Sequence, residues 1–147
     1  MADMLLRQAL ARAAEDWIGT PFRHQASRRQ VGCDCLGLVR GVWRDVLGAE
    51  PCDIEPYAED STEIGSRNLL QLRVSEVCAE VAFAEAHPGN LLLFRMRARG
   101  PAQHLGILTT DDTFVHAYAR HGVVRSELTS HWRRKVVGAF EIPSEVA

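Results

Sequence analysis

The stretch Gly-Cys-Asp-Cys-Leu-Gly-Leu at residues 32–38 marks the start of a helix and places a thiol in its first turn. Apolar residues then recur at helical spacing. With Asp34 as the predicted N-cap and Gly48 as the predicted end, we expect a helix over Cys35–Leu47. The first N–H groups of a helix lack intrahelical partners and lie at the positive end of its dipole. Such a position favours a lowered thiol pKa and can hold a developing oxyanion, so Cys35 is a candidate nucleophile.

The rest of the chain predicts helices first and strands afterwards. A helix is expected over residues 4–18, a loop over 19–33, an acidic connection over 49–60 and a helix over 61–72, while 74–84 fits either helix or strand. Five short strands are expected at 91–97, 103–109, 113–118, 122–127 and 135–142. This order is typical of an α+β domain with helices packed on one antiparallel sheet. Because no repeat or linker divides the chain, we expect a single domain over residues 1–147.

Composition and charge exclude several classes of protein. Hydrophobic residues make up 46% and charged residues 24% of the 147 positions, as in an ordinary globular domain. Lys and Arg total 17 against 19 for Asp and Glu, which argues against a nucleic-acid partner. No apolar run approaches the roughly 20 residues that a membrane span needs, so no membrane partner is expected. The N-terminal residues lack the basic start of a secretory signal, and we expect synthesis in the cytoplasm without a signal peptide.

Two of the six histidines lie in a context that suggests chemistry. His87 and His121 stand beside turn residues, and His131 lies in a polar segment predicted at the surface. His104 and His116 instead begin or interrupt apolar strands. A thiol nucleophile needs a base, and the base needs an orienting partner, so these two histidines are candidates for both roles.

Strand register decides whether His104 and His116 can cooperate. They share a face of the sheet only if the paired residue numbers of their hairpin add up to an even number. A three-residue loop that pairs Thr109 with Thr113 satisfies this condition and makes the histidines diagonal neighbours, within reach of a ring-to-ring hydrogen bond. We therefore predict an odd loop or a bulge there, with Cys35 facing the histidines from the helix start.

The four cysteines leave two further interpretations open. Cys33 and Cys35 could form a zinc site with Cys52, Cys78 or a histidine, or one of the pair could form a disulfide with Cys52 or Cys78. The Cys-x-Cys spacing differs from the usual zinc knuckle, and no second close pair follows. We therefore expect no metal and no other cofactor.

Five motifs lie in order along nearly the whole chain, at residues 17–24, 32–38, 88–94, 104–107 and 114–117. Together they resemble the NlpC-type cell-wall peptidases. These are papain-like cysteine endopeptidases that cut the peptide stems of peptidoglycan. Residues 34–43 and the Val-Val-Gly-Ala-Phe ending at 136–140 resemble the branch of the family found in phage tails and gene transfer agents.

The resemblance implies a catalytic triad of Cys35 as nucleophile, His104 as base and His116 as the third, orienting residue. Asp34 and the backbone N–H of Cys35 would support the site and its oxyanion. The bond between D-glutamate and the diamino acid of the stem is the implied target.

Two positions depart from the residues that the family often has. Phe22 stands where the family often has a tyrosine near the nucleophile, and Asn90 stands where the family often has an aspartate in a turn. Phe22 and Gly37 are candidate substrate-binding residues.

The expected function is therefore a cysteine endopeptidase that cleaves peptidoglycan stem peptides and helps a phage-like particle penetrate the cell wall. Its expected partners are the stem peptide and the proteins of a tail tip or baseplate, and it would act at the periplasmic wall as part of the virion. Two alternatives stay open. One is a non-catalytic tail-tip protein that retains the fold, and the other is a thiol amidase or acyltransferase on the same scaffold.

Overall fold

A computed structural model of the chain describes residues 2–51, 63–64 and 67–144. Within these ranges the helices are α1 (Ala2–Asp16), α2 (Cys35–Leu47), α3 (Leu69–Val77) and α4 (Ser130–Arg133), with a 3-10 turn at Phe83–Glu85. The short strands are β1 (Ser27–Arg28), β2 (Gly32–Cys33), β3 (Glu63–Ile64), β4 (Arg67–Asn68) and β5 (Ala79–Val81). The longer strands are β6 (Leu91–Arg95), β7 (Ala102–Leu108), β8 (Thr113–Tyr118), β9 (Gly122–Glu127) and β10 (Val136–Glu141).

A six-stranded antiparallel sheet in the order β5-β10-β6-β7-β8-β9 forms the centre of the fold. On one face, α1, α2 and α3 pack against alternate strand residues such as Leu105 and Ile107 to form the larger apolar core. On the other face, Phe94, Phe114 and Leu108 pack beneath Trp132 of α4. The architecture confirms the predicted α+β, papain-like class of helices on an antiparallel sheet.

Helix α2 has the predicted bounds because both of its ends are capped by local sequence. Asp34 adopts an extended backbone, and its side chain accepts a hydrogen bond from the N–H of Gly37. Gly48 ends the helix in the left-handed region, at a φ of 86°, and its N–H donates to the carbonyl of Arg44. Trp17, the residue that follows α1, lies so close to α2 that a side chain at Gly41 would overlap its ring.

The region after α2 differs from the prediction. The helix expected over 61–72 is wrong, because 63–64 and 67–68 form two short antiparallel strands and α3 begins only at Leu69. The buried residues of α3 are Leu70 and Val74, one turn apart, so the leucines at 69–72 start the helix rather than end it. Most of the acidic connection predicted at 49–60 lies outside the described residues. The loop predicted over 19–33 contains the small β1–β2 pair.

The β7–β8 hairpin has the predicted register and then opens. Ile107 pairs with Val115 and Leu108 with Phe114, and the N–H of Thr109 donates to the carbonyl of Thr113 at 2.9 Å. The two residue numbers of each pair add up to the same even number, which confirms the predicted three-residue loop. The ladder comprises only the first two pairs, although β7 begins at residue 102 and β8 runs on to residue 118. The strands therefore part at the end of the sheet where β7 starts.

Candidate active site

Cys35 lies at this opening between β7 and β8. Its Sγ is 3.9 Å from the carbonyl oxygen of Gln103, and the N–H of Leu105 is one of the backbone donors that act on the sulfur. In a strand, the backbone groups of alternate residues point to opposite neighbours. Those of Leu108 bond to residues 89 and 90 beside β6, so those of Leu105 face β8. Gln103 lies at the register shift between β6 and β7, where Phe94 pairs with His104 and Arg95 with Ala102. The thiol thus lies against the backbone of β7 on both sides of His104.

The buried carboxylate of Asp34 fixes the start of α2. Oδ1 accepts a hydrogen bond from the N–H of Gly37, and Oδ2 accepts one from the N–H of Gln25, both at 2.7 Å. Gln25 has a positive φ of 63°, so this second bond also holds an unusual turn in the preceding loop. Asp34 therefore anchors the loop to the helix and orients Cys35. As an acceptor, its carboxylate supports the site but cannot donate to an oxyanion.

Gly37 is needed for packing in this structure. A Cβ at this position would overlap the carbonyl oxygen of Ala26, and the carbonyl of Gly37 itself accepts a hydrogen bond from Ser27 Oγ at 2.6 Å. The missing side chain thus makes room for the loop before β1. The expectation that Gly37 leaves space for substrate gains no support, because the backbone of Ala26 fills that space.

Phe22 lies beside the helix start. It forms an isolated bridge with Cys33, two residues before the candidate nucleophile, and is half-buried against the main core. Its ring carries no hydrogen-bonding group, so it can offer a ligand apolar contact only.

His104 and His116 form a buried, hydrogen-bonded pair on the face of the sheet that α4 covers. Nε2 of His104 lies 2.7 Å from Nδ1 of His116, and the two rings meet edge to face with centroids 5.0 Å apart. His104 is 7% exposed and His116 is fully buried. The register argument from sequence thus placed both rings on one face, as observed. The second ring nitrogen of His104, Nδ1, is left for another partner.

Two neighbours of the histidine pair were not foreseen. Oγ of Ser126 on β9 lies 2.8 Å from Nε2 of His116. The indole of Trp132 packs over the pair, with its centroid 5.1 Å from that of His116 and 6.3 Å from that of His104. The position of Ser126 could have been found by continuing the register count into the next hairpin. Trp132 follows His131 in a segment that we expected at the surface, and no pattern in the sequence indicates that its ring packs over the histidines.

The pKa of the Cys35 thiol is raised, whereas the sequence suggested a lowered value. Burial, followed by the charge of Asp34, raises the pKa of Cys35 to about 12, although the N–H groups of Leu105, Leu36 and Cys35 itself lower it. Burial, together with His116, lowers the pKa of His104 to about 3. Burial, together with His121, lowers the pKa of His116 to about 4. These shifts favour a neutral thiol and two neutral imidazoles in the resting site.

The remaining cysteines and histidines form no second centre among the residues that the structure describes. Cys33 and Cys78 are buried free thiols whose pKa values burial raises to about 12. Cys52 lies outside the described residues. His87, His121 and His131 are exposed, as predicted. Within the described ranges no group of three or more metal-binding side chains comes together, and no helix has the length and apolar character to cross a membrane.

Comparison with known proteins places this arrangement in a family. Residues 19–141 match the NlpC/P60 family, a match that includes Cys35, both buried histidines and Ser126. The chain belongs to the NlpC/P60 family. It is 30% identical over 122 residues to the probable endopeptidase NlpC of Escherichia coli, covering 82% of this chain and 68% of that protein. It is 27% identical over 121 residues to the murein DD-endopeptidase/LD-carboxypeptidase MepS of the same species, covering 82% of this chain and 54% of MepS.

Solved NlpC/P60 structures share the fold. The NlpC/P60 domain of the peptidoglycan hydrolase SagA superimposes with a TM-score of 0.65 at 20% identity, covering 92% of this chain and 98% of that domain. An NlpC/P60 protein from Bacillus cereus gives a TM-score of 0.66 at 17% identity, covering 93% of this chain and 40% of that protein. The family and the endopeptidase names of the curated relatives confirm the prediction of an enzyme of the cysteine peptidase class.

Proposed function

We propose that this NlpC/P60 protein is a cysteine endopeptidase that cleaves peptidoglycan stem peptides. The observation that supports this most directly is the position of the Cys35 thiol, at a helix start and between the backbone groups of Gln103 and Leu105 that flank His104. His104 in turn is hydrogen-bonded to His116. These contacts support the roles of nucleophile for Cys35, base for His104 and orienting partner for His116.

In the proposed reaction, His104 acts as a general base on a neutral thiol. Because the resting thiol is protonated, its proton moves to Nδ1 of His104 as the sulfur attacks the scissile carbonyl. The carbonyl oxygen becomes an oxyanion, which the N–H of Cys35 at the start of α2 stabilises. Nε2 of His104 keeps its proton on the side of His116, which accepts it in a hydrogen bond and stabilises the imidazolium.

The second half of the reaction reverses these proton movements. The imidazolium gives the proton on Nδ1 to the leaving amine, and the C–N bond breaks to leave a thioester on Cys35. Water then attacks the thioester carbonyl as His104 again accepts a proton, and the thiol and the free carboxylate are restored.

The bond between D-glutamate and the diamino acid is the proposed cleavage site, on the resemblance of the motifs around Cys35 and His104 to the cell-wall peptidases. The charge near the site agrees with an acidic stem. Arg97 and Arg99 are exposed on the turn between β6 and β7, at the end of the sheet where His104 lies. Since β6 and β7 are interior strands, protection of a sheet edge does not explain these cations.

Digestion of purified peptidoglycan tests the activity. The wild type should release soluble muropeptides, while Cys35→Ala should release none above background, because the attacking sulfur is gone. Cys78→Ala removes a buried thiol elsewhere in the core and is the matched control, expected to retain activity. Equal release by wild type and Cys35→Ala would refute the peptidase.

Mass spectrometry of the products distinguishes the proposed reaction from its alternatives. Cleavage inside the stem leaves its first residues on the sugar, whereas an amidase separates the whole stem from the sugar. Alkylation adds a test without substrate: a working site should label at Cys35 before the buried Cys33 and Cys78. Equally slow labelling of all these thiols, with no digestion, would indicate a structural protein that retains the fold.

We also propose that the protein works as a component of a phage-like tail tip or baseplate and reaches the periplasmic wall as part of the particle. The support is the resemblance of residues 34–43 and 136–140 to the phage-tail and gene-transfer-agent branch. Quantitative mass spectrometry of purified particles should detect the protein at a fixed ratio to tail proteins. Its presence free in the periplasm and absence from particles would contradict this.

A further inference from the structure

Ser126 on β9 is the hydrogen-bond partner of His116 on the side away from His104. In the β8–β9 ladder His116 is opposite Val124, and Phe114 is opposite Ser126. The side chain of Ser126 is therefore a diagonal neighbour of His116 on the same face of the sheet. Its Oγ lies 2.8 Å from Nε2 of His116, at the far end of the ring from His104.

Hydrogen-bond direction along this chain of groups has two possible senses. In the first, Nε2–H of His104 donates to Nδ1 of His116, Nε2–H of His116 donates to Oγ of Ser126, and Nδ1 of His104 is unprotonated. In the second, Ser126 donates to His116, Nδ1–H of His116 donates to Nε2 of His104, and Nδ1 of His104 carries the proton. Only the first sense leaves His104 with a lone pair to accept the proton of the thiol.

We propose that Ser126 is a positioning residue that accepts the Nε2–H of His116, holds that ring in one tautomer and so keeps Nδ1 of His104 available as the base. The inference rests on the proposed function for its catalytic consequence, but the tautomer itself is a property of the protein without substrate. Because the same tautomer of His116 serves both the neutral and the protonated form of His104, the bond to Ser126 is kept throughout the reaction.

The surroundings of His116 make this acceptor difficult to replace. The residue is fully buried, and Trp132, Phe114 and Tyr118 pack around its ring with centroid distances of 5.1, 4.5 and 5.3 Å. Without the hydroxyl of Ser126, the Nε2–H of His116 is a buried donor without a partner, which is costly. A shift of the proton to Nδ1 relieves that cost and reverses the direction of the hydrogen bond to His104.

The test combines kinetics with the tautomeric state of His116. In Ser126→Ala we expect kcat for peptidoglycan stem peptides to fall by roughly 10- to 100-fold with little change in KM, because the base and not substrate binding is affected. Ser126→Thr keeps the hydroxyl and should retain kcat to within about threefold. Ser75→Ala, at an exposed serine of α3, is the matched control and should leave kcat unchanged.

Nitrogen-15 NMR of the imidazoles supplies the readout that a packing role would not move. In the wild type and in Ser126→Thr, Nε2 of His116 should show the shift of a protonated nitrogen, and in Ser126→Ala the proton should move to Nδ1. An unchanged tautomer in Ser126→Ala would overturn the inference, as would equal loss of kcat in the Ala and Thr variants. If the wild type digests no peptidoglycan, the peptidase proposal fails while the NMR comparison still decides the role of Ser126.

Discussion

The buried histidine pair should make the fold sensitive to acid. His104 and His116 stay neutral in the folded protein because burial lowers their pKa values to about 3 and about 4. In the unfolded chain both titrate near the ordinary value of about 6.5. Below that pH the unfolded state binds more protons than the folded state, so the free energy of unfolding falls as the pH falls.

The size of the effect follows from the two pKa values. Between pH 7 and pH 5, each histidine that remains neutral in the fold lowers the free energy of unfolding by about 2 kcal/mol, or about 4 kcal/mol for the pair. This is a large part of the 5–15 kcal/mol that is typical of a domain. Urea unfolding followed by tryptophan fluorescence at several pH values measures it directly.

Variants assign this loss to the pair. His104→Asn and His116→Asn each remove one titrating ring, so the loss between pH 7 and pH 5 should shrink by about 2 kcal/mol in either variant. His87→Asn changes an exposed histidine and should behave like the wild type. The same pH dependence in all four proteins would show that the rings are protonated in the fold, and the reasoning from burial would be refuted.

Two further substitutions test the start of α2. Gly37→Ala forces a methyl group onto the carbonyl oxygen of Ala26 and should lower the free energy of unfolding by about 3 kcal/mol, measured as a fall in Tm. Gly100→Ala is the control: its methyl group meets the Cβ of Arg97 at 3.2 Å and should have little effect. Asp34→Asn removes the charge that helps raise the pKa of Cys35, so iodoacetamide should label this thiol about two- to tenfold faster at pH 8, and an unchanged rate would contradict that electrostatic role.

Local signals in the sequence predicted the parts of the site that depend on neighbours along the chain. The cap at Asp34 and the stop at Gly48 set the bounds of α2, because each acts through backbone groups within one turn. The relation between His104 and His116 was also predictable. It needs only the length of one hairpin loop and the alternation of side chains along a strand.

The features that sequence reasoning missed depend on residues far apart in the chain. A thiol at a helix start suggested a lowered pKa. The strand that removes water from the Cys35 thiol is contributed by residues about 70 positions later, and this desolvation outweighs the effect of the helix. The position of Trp132 over the histidine pair follows from how α4 folds back across the sheet. The start of α3 was missed because its leucines fit either end of a helix.

The docking of Cys35 against β7 has a consequence for the order of folding. The contact between His104 and His116 spans 12 positions along the chain, whereas the contact between Cys35 and Gln103 spans 68. Contacts between near neighbours form with less loop-closure entropy than distant ones. In the proposed mechanism the base therefore assembles within a hairpin, and hydrolytic competence arrives only when α2 docks against that hairpin. A folding intermediate without this docking would hold the imidazoles but no nucleophile beside them, and so would be inert toward peptides in the cell that makes it.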